Sequence, residues 1–404
     1  MIIEMFPAES GDAFLIRVNN KNILIDMGYS NTYKVYIKNR LIELKNQNQC
    51  IDLLVITHID EDHIQGVIEF LKENGNVYNP NIIEIKEIWH NSYRHLQFDK
   101  EKVSNISDLE KMQLKDIKLS NEKVRKKETC ESNSISALQG STLAGYLYAL
   151  GYAESRWNKS FNFKSVNLDN YNEIQLGNIK IHMLSPNTNK LKVLSKLWID
   201  KLRKIDWDFC ISDEEIFDDA YEMYLKKLKP FNQINEDNNI SYNNSLENFE
   251  TKINETITSS GRDLSKSNGA SIAFILEYEN KKILFLGDSH EDIIIDELNN
   301  YKESGKRLEF DAIKLSHHGS IKNNFKLIEN IKCNRYLIST DGTKHRHPNQ
   351  EIIAKILKCN KDKKTIYFNY PLEICSTINK HILKEKYNYS LVVGDGNSSL
   401  IIEV

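Results

Sequence analysis

Paired cysteines are missing from this chain. Its six cysteines, at 50, 130, 210, 333, 359 and 375, never fall at CxxC spacing. That excludes a zinc knuckle and a disulfide framework, and it predicts reduced thiols of the cytosolic kind. Long apolar runs are missing too. No segment is long and apolar enough to span a bilayer, and Met1-Ile2-Ile3-Glu4 lacks the basic start and apolar stretch of a signal peptide. A cytoplasmic protein with no membrane partner is expected. An excess of positive charge is also absent. The net charge of −3 excludes a uniformly basic nucleic-acid coat and leaves room for a local basic groove. No P-loop or Rossmann glycine pattern occurs, so no nucleotide cofactor is expected. What is present is an ordinary globular composition over 404 residues, 40% hydrophobic and 27% charged. A chain of this length can bury a large core and hold two or three domains.

One stretch organises the rest. Leu53-Leu54-Val55-Ile56 is a short apolar run that reads as a buried strand. It ends abruptly in His58, Asp60, Asp62 and His63, and helical periodicity follows through Lys72 to Gly75. Alternate residues of an extended segment point the same way, so His58 and Asp60 can converge, while Asp62 and His63 open the helix. Neutral imidazole and carboxylate are the usual ligands for zinc, manganese or iron. A polar loop with two satisfied histidines is the plainer alternative, but two histidines and two aspartates within six residues of a buried strand argue for metal.

Further along, Ile82–Trp89 reads as a strand leading to His90, which is expected to pack on a rim, as is His95. Residues 91–171 turn helical and polar, predicting an inserted cap that Trp157, Phe161 and Phe163 pack onto the core. Residues 188–267 are a second insertion, with helices over 191–204 and 218–228. Its Asn-rich middle, 232–248, has too little apolar surface to order itself. This insertion contains no histidine and is expected to carry none of the chemistry. An apolar strand, Lys281–Leu286, then ends in Gly287-Asp288, which presents a carboxylate at the sheet edge of His58. Helix capping is the alternative role for Asp288. The strand Asp311–Ser316 ends in His317-His318-Gly319-Ser320, and His345-Arg346-His347-Pro348 follows another strand. A histidine of that last loop can protonate a leaving group or hold a phosphate, with Lys344 and Arg346 adding charge, and a solvated basic loop is the alternative.

The stretch His58-x-Asp60-x-Asp62-His63 resembles the His-x-His-x-Asp-His signature of the metallo-β-lactamase superfamily, with Asp60 at the second histidine. That departure, the Ser-His-His-Gly-Ser block and His347-Pro348 are similar to the ComEC-type branch. The resemblance runs in blocks from Met1 to Val404. It implies an α/β fold, a four-layer αβ/βα sandwich with two insertions and a metal cleft at one edge of the sheets. It implies that Asp26, in Asp26-Met27-Gly28, orients a ligand, that Asp288 bridges two ions, and that Ser185-Pro186-Asn187 stands where a further ligand histidine is usual. The expected metal set is His58, Asp60, Asp62, His63, Asp288 and His317, with His318 as the alternative to His317. Asp62, His318 and His347 are the expected catalytic residues. The cofactor is one or two divalent ions, zinc or manganese.

Such a site serves hydrolysis. The leading expectation is a phosphodiesterase or nuclease, acting on a nucleic acid or nucleotide. The alternatives are a lactonase or thioesterase, and a partner-regulated module of an antiphage defence system whose insertions dock other proteins.

Overall fold

The computed structural model describes residues 1–96, 143–205, 246–254 and 261–404. Two sheets dominate. The first runs, in spatial order, Leu400–Glu403, Ile2–Met5, Phe14–Val18, Lys21–Ile25, Leu53–Val55 and Ile88–Trp89. The second runs Tyr389–Val393, Lys364–Phe368, Arg335–Ile338, Ala312–Lys314, Lys281–Phe285, Ala273–Tyr278, Ile179–Ser185 and Glu173–Leu176.

Side-chain alternation along these strands builds four layers. Ile3, Met5, Phe14, Ile16, Ile23 and Ile25 of the first sheet share one core with Phe274, Leu276, Ile283, Phe285 and Leu337 of the second. Phe14 and Phe285 meet edge to face across that layer, with ring centroids 5.5 Å apart. The intervening residues Leu15, Leu24 and Leu54 point the other way, onto Leu41, Leu44, Ile64 and Leu71 of the helices Lys38–Asn46 and Glu61–Asn74. Ile275, Leu284, Tyr336 and Ile338 likewise face Ile293, Leu298, Ile353 and Leu357 of the helices Glu291–Glu303 and Gln350–Cys359. Helix, sheet, sheet, helix is the expected α/β sandwich.

Several local expectations change. Only Ile88–Trp89 of the expected strand 82–89 is ladder-paired, with a lone bridge at Ile85. The backbone N–H groups of Ile82 and Ile83 donate instead to Asn74 Oδ1, at 3.0 and 2.9 Å, and are lost to the sheet. Helix Leu143–Ala149 buries Leu143, Ala144, Tyr146 and Leu147 against the first outer layer, and Trp157 and Phe161 are buried, but Phe163 is exposed at 43%. The rest of the expected cap, 97–142, lies outside the described residues, as do the helix expected over 218–228 and most of the Asn-rich segment. That segment's end is not loose. Helix Leu246–Asn254 begins inside it and buries Phe249 and Ile253, four residues apart on one face, in the second outer layer. Both side chains lie just beyond that segment's last residue, 248. Among the described residues Cys50, Cys333, Cys359 and Cys375 are free thiols, and no helix is long and apolar enough to cross a membrane.

The helix carrying His63 sits unusually close to the strand loop beneath it. Gly66 N donates to Gly28 O at 2.9 Å, and a Cβ at Gly66 would stand 2.1 Å from the Met27 carbonyl oxygen. Gly66→Ala must push the helix off that loop. Overpacking of this kind costs about 1–3 kcal/mol, so a matching drop in urea-unfolding free energy is expected.

Candidate metal centre

The described part of the chain brings its two motif regions together at one edge of the sandwich. Strand Leu53–Val55 ends, and Thr57 O accepts from Ile272 N at 2.8 Å, which ties the edge of the first sheet to the second. Asp288 follows strand Lys281–Phe285, where Gly287 adopts φ +50 with its Cα facing Ser271 and Thr57 so closely that a Cβ would lie 2.4 Å from Ser271 Oγ. Asp288 N donates to that Oγ at 3.0 Å.

Asp288 Oδ2 is the hub. The Nε2 atoms of His58, His63, His318 and His317 lie 3.8, 3.8, 3.7 and 4.0 Å from it. These separations are too long for hydrogen bonds. His58, His63 and Asp288 offer ligand atoms within 4.8 Å of one another, as do Asp62, His63 and His318. Asp60 Oδ2 is 3.6 Å from His58 Nε2, and Asp60 stands at the N-cap of helix Glu61–Asn74 without making a side-chain capping bond.

The imidazoles are held by their other nitrogens. His63 Nδ1 donates to Asp26 Oδ2 at 2.7 Å, His318 Nδ1 donates to Ser339 O at 2.7 Å, and His58 Nδ1 meets Thr57 Oγ1 at 3.0 Å. Asp26 is itself fixed, accepting from Thr57 N at 2.8 Å and Thr57 Oγ1 at 2.7 Å. The Nε2 atoms of His58, His63 and His318 are buried without a hydrogen-bond partner among the described residues. Buried polar atoms are rarely left so. Three imidazoles with Nδ1 engaged and Nε2 converging on a carboxylate are what a divalent ion requires of its ligands, and the partners on Nδ1 are those that fix a ligand's tautomer. These residues fit a metal.

His317 and His318 differ. Both have positive φ, 46° and 54°, a strained backbone for non-glycine residues. The turn is clamped by Asn324, whose Nδ2 donates to Ser316 O and Ser320 O, each at 2.7 Å. His318 points inward. His317 stays partly exposed, and its Nδ1 lies 3.4 Å from Asp263 Oδ2. Asp263 falls inside the 188–267 segment that was expected to carry none of the chemistry. It accepts from Asn268 and Asn323 at 2.8 and 3.0 Å and belongs to the rim of the centre. A serine- and glycine-rich stretch gave no sign of this in the sequence.

Charge follows the geometry. Burial disfavours the His63 imidazolium, yet Asp26 and Asp288 outweigh it and raise the pKa to about 10. Burial also opposes protonation of His317, where Asp288 and Asp263 prevail and raise it to about 9. His318 is lowered by burial despite Asp288. Burial, then His317, push His347 well below the ordinary range.

The loop after strand Arg335–Ile338 closes over this edge. The His347 and His317 rings are 5.0 Å apart, and Lys344 Nζ is 3.9 Å from Asp62 Oδ2 and lies over the Tyr29 ring. His90 instead stacks on Trp157 with ring centroids 6.0 Å apart, and His95 meets the same ring edge-on at 4.8 Å. Asp12 and Lys314, which the sequence reading does not single out, also lie here, with Lys314 Nζ paired to Asp12 and 3.6 Å from Asp288 Oδ1. Lys314 carried a signal, a charge inside an apolar strand.

No curated protein matches the chain. Among solved structures the chain is similar over 100% of its length to 54% of CmlA, a diiron beta-hydroxylase from Streptomyces venezuelae, at 8% identity and a TM-score of 0.37. It therefore spans about half the length of that protein. It is similar, also over 100% of its length, to 99% of the metallo-beta-lactamase fold protein YhfI from Bacillus subtilis, at 8% identity and TM-score 0.33. Human tRNase Z, short form, is similar over 99% of its own chain at 11% identity and TM-score 0.32. Residues 7–121, which include His58, Asp60, Asp62 and His63, match the family model described as the metallo-beta-lactamase superfamily.

Proposed function

We propose that the protein is a metal-dependent hydrolase that cleaves phosphodiesters, as a phosphodiesterase or nuclease. The observation that carries this reading is the ring of imidazole Nε2 atoms, 3.7–4.0 Å from one carboxylate oxygen and three of them buried without a hydrogen-bond partner among the described residues. A divalent ion bound there lowers the pKa of water toward neutrality and stabilises developing negative charge on oxygen.

In this reading His58, Asp60, Asp62, His63, Asp288 and His318 hold one or two ions, zinc or manganese. His318 takes the place given to His317 from the sequence, because its Nε2 is buried and its Nδ1 is held by Ser339 O. His317, held beside Asp263, faces the solvent side and is placed to donate a proton to the leaving oxygen. His347, kept neutral by burial, serves as an N–H donor to a substrate oxygen. Lys344, His345 and Arg346 are exposed at this mouth and favour an anionic substrate over a small neutral ester. A nucleic acid or a nucleotide meets that description.

The test is metal analysis of the purified protein with a phosphodiester hydrolysis screen in manganese, zinc and magnesium. Metal-free protein, or activity that survives a chelator, would remove the reading. The two adjacent histidines should also separate. His318→Ala is expected to lose bound metal. His317→Ala is expected to keep it and lower kcat by about 10²–10⁴-fold, the usual contribution of a positioned acid. Equal metal loss in both variants would return His317 to the ligand set.

A further inference from the structure

Lys314 is the last residue of strand Ala312–Lys314, and its side chain is 1% exposed. It shares the strand face of Ala312, which packs in the layer between the two sheets. Its Nζ donates to Gly287 O at 2.9 Å, pairs with Asp12 Oδ2, and lies 3.6 Å from Asp288 Oδ1. Asp12 is 2% exposed, and its other oxygen is 3.5 Å from His318 Nδ1. That oxygen has no hydrogen-bond partner among the described residues, and neither has Asp288 Oδ1.

A buried ion pair is a poor way to stabilise a fold, since apolar side chains of similar volume commonly serve as well or better. The pair touches the hub at both ends, through Asp288 and through His318. We infer that Lys314 and Asp12 form a positioning pair that aims Asp288 and His318 at the bound metal.

The inference rests on the metal reading above. The ammonium faces Asp288 Oδ1, which leaves Oδ2 turned toward the imidazoles. It also occupies Asp12 Oδ2. Asp12, Asp288 and His318 offer ligand atoms within 4.8 Å of one another, so a released Asp12 would compete as a ligand. A cation beside a metal centre repels the ion through space. The pair must therefore favour binding through orientation, which leaves its mark on coordination geometry as well as affinity.

Lys314→Met alone strands two buried carboxylates, so the decisive variant is Lys314→Met/Asp12→Asn, which removes both charges together. Thermal unfolding of the metal-free protein establishes that it folds. Cobalt(II) titration followed by visible absorption then reads affinity and geometry. The expected result is a folded protein that binds cobalt about 10- to 100-fold more weakly, the usual cost of losing groups that orient ligands, with a changed visible band. Asp12→Asn alone, which keeps the side-chain shape, is expected to shift both readouts in the same direction and answers the question if the double variant does not fold. A folded variant with wild-type affinity and spectrum overturns the inference and leaves the metal reading standing. A wild-type protein that binds no cobalt overturns both.

Discussion

Asp288→Asn is expected to abolish hydrolysis while leaving the sandwich folded. The side chain lies at the open edge of the two sheets, outside the apolar clusters, and asparagine keeps its volume. What changes is the hub. One oxygen now stands 3.7–4.0 Å from four imidazole Nε2 atoms and can donate its lone pairs to a metal ion. An amide placed there supplies neutral oxygen or a blocked nitrogen. The expected loss is on the order of 10³-fold or more in turnover, about 4 kcal/mol of transition-state stabilisation, with a fall in bound metal. Circular dichroism should match the wild type. Near-full activity with full metal content in this variant, or in Asp62→Ala, would show that the chemistry proposed here is wrong.

Asp26→Asn is expected to damage the same centre from behind. The backbone at Asp26 has φ +52, which asparagine accepts. Thr57 N–H requires an acceptor at 2.8 Å, so the amide oxygen must face it and the NH2 group must face His63. His63 Nδ1 then has to accept, its proton moves to Nε2, and the atom aimed at the hub becomes a donor. Metal affinity should fall by about 10- to 100-fold.

The same pair sets a pH dependence in the metal-free protein. The folded His63 pKa is raised to about 10 from 6.5. A raised pKa stabilises the fold fully below the unfolded value and loses that contribution as pH rises through the folded value. His317, at about 9, acts with the same sign. Unfolding free energy measured with chelator present should therefore decline from about pH 6.5 to about pH 10, and Asp26→Asn should flatten the slope above pH 9. A wild-type protein whose metal-free stability does not change over that range would contradict the pairing.

Much of this is legible in the sequence alone. His58, Asp60, Asp62 and His63 are linked by local geometry alone, a strand end and the first turn of a helix, and a motif that local survives without knowledge of the fold. Periodicity alone indicates no more than a mixed α/β class, since Ile23, Leu24 and Ile25 are all apolar and only the strand geometry sorts them to opposite faces. Asp288 was visible as an acid at a strand end.

The rest is decided by contacts between residues far apart in the chain. Whether His317 or His318 turns inward depends on two left-handed residues clamped by Asn324 and on the distant carbonyl of Ser339. Asp263 reaches the centre only because its segment returns to the sheet edge beside Asn268 and Asn323. Lys314 and Asp12 are separated by some three hundred residues and meet in the layer between two sheets. Sequence determined which groups can ligate and which strands carry them, since those properties belong to single side chains and neighbouring residues. Only the packing of one sheet on the other decided which groups converge and which charges are buried together, because desolvation and Coulomb energy depend on distances that the order of residues does not contain.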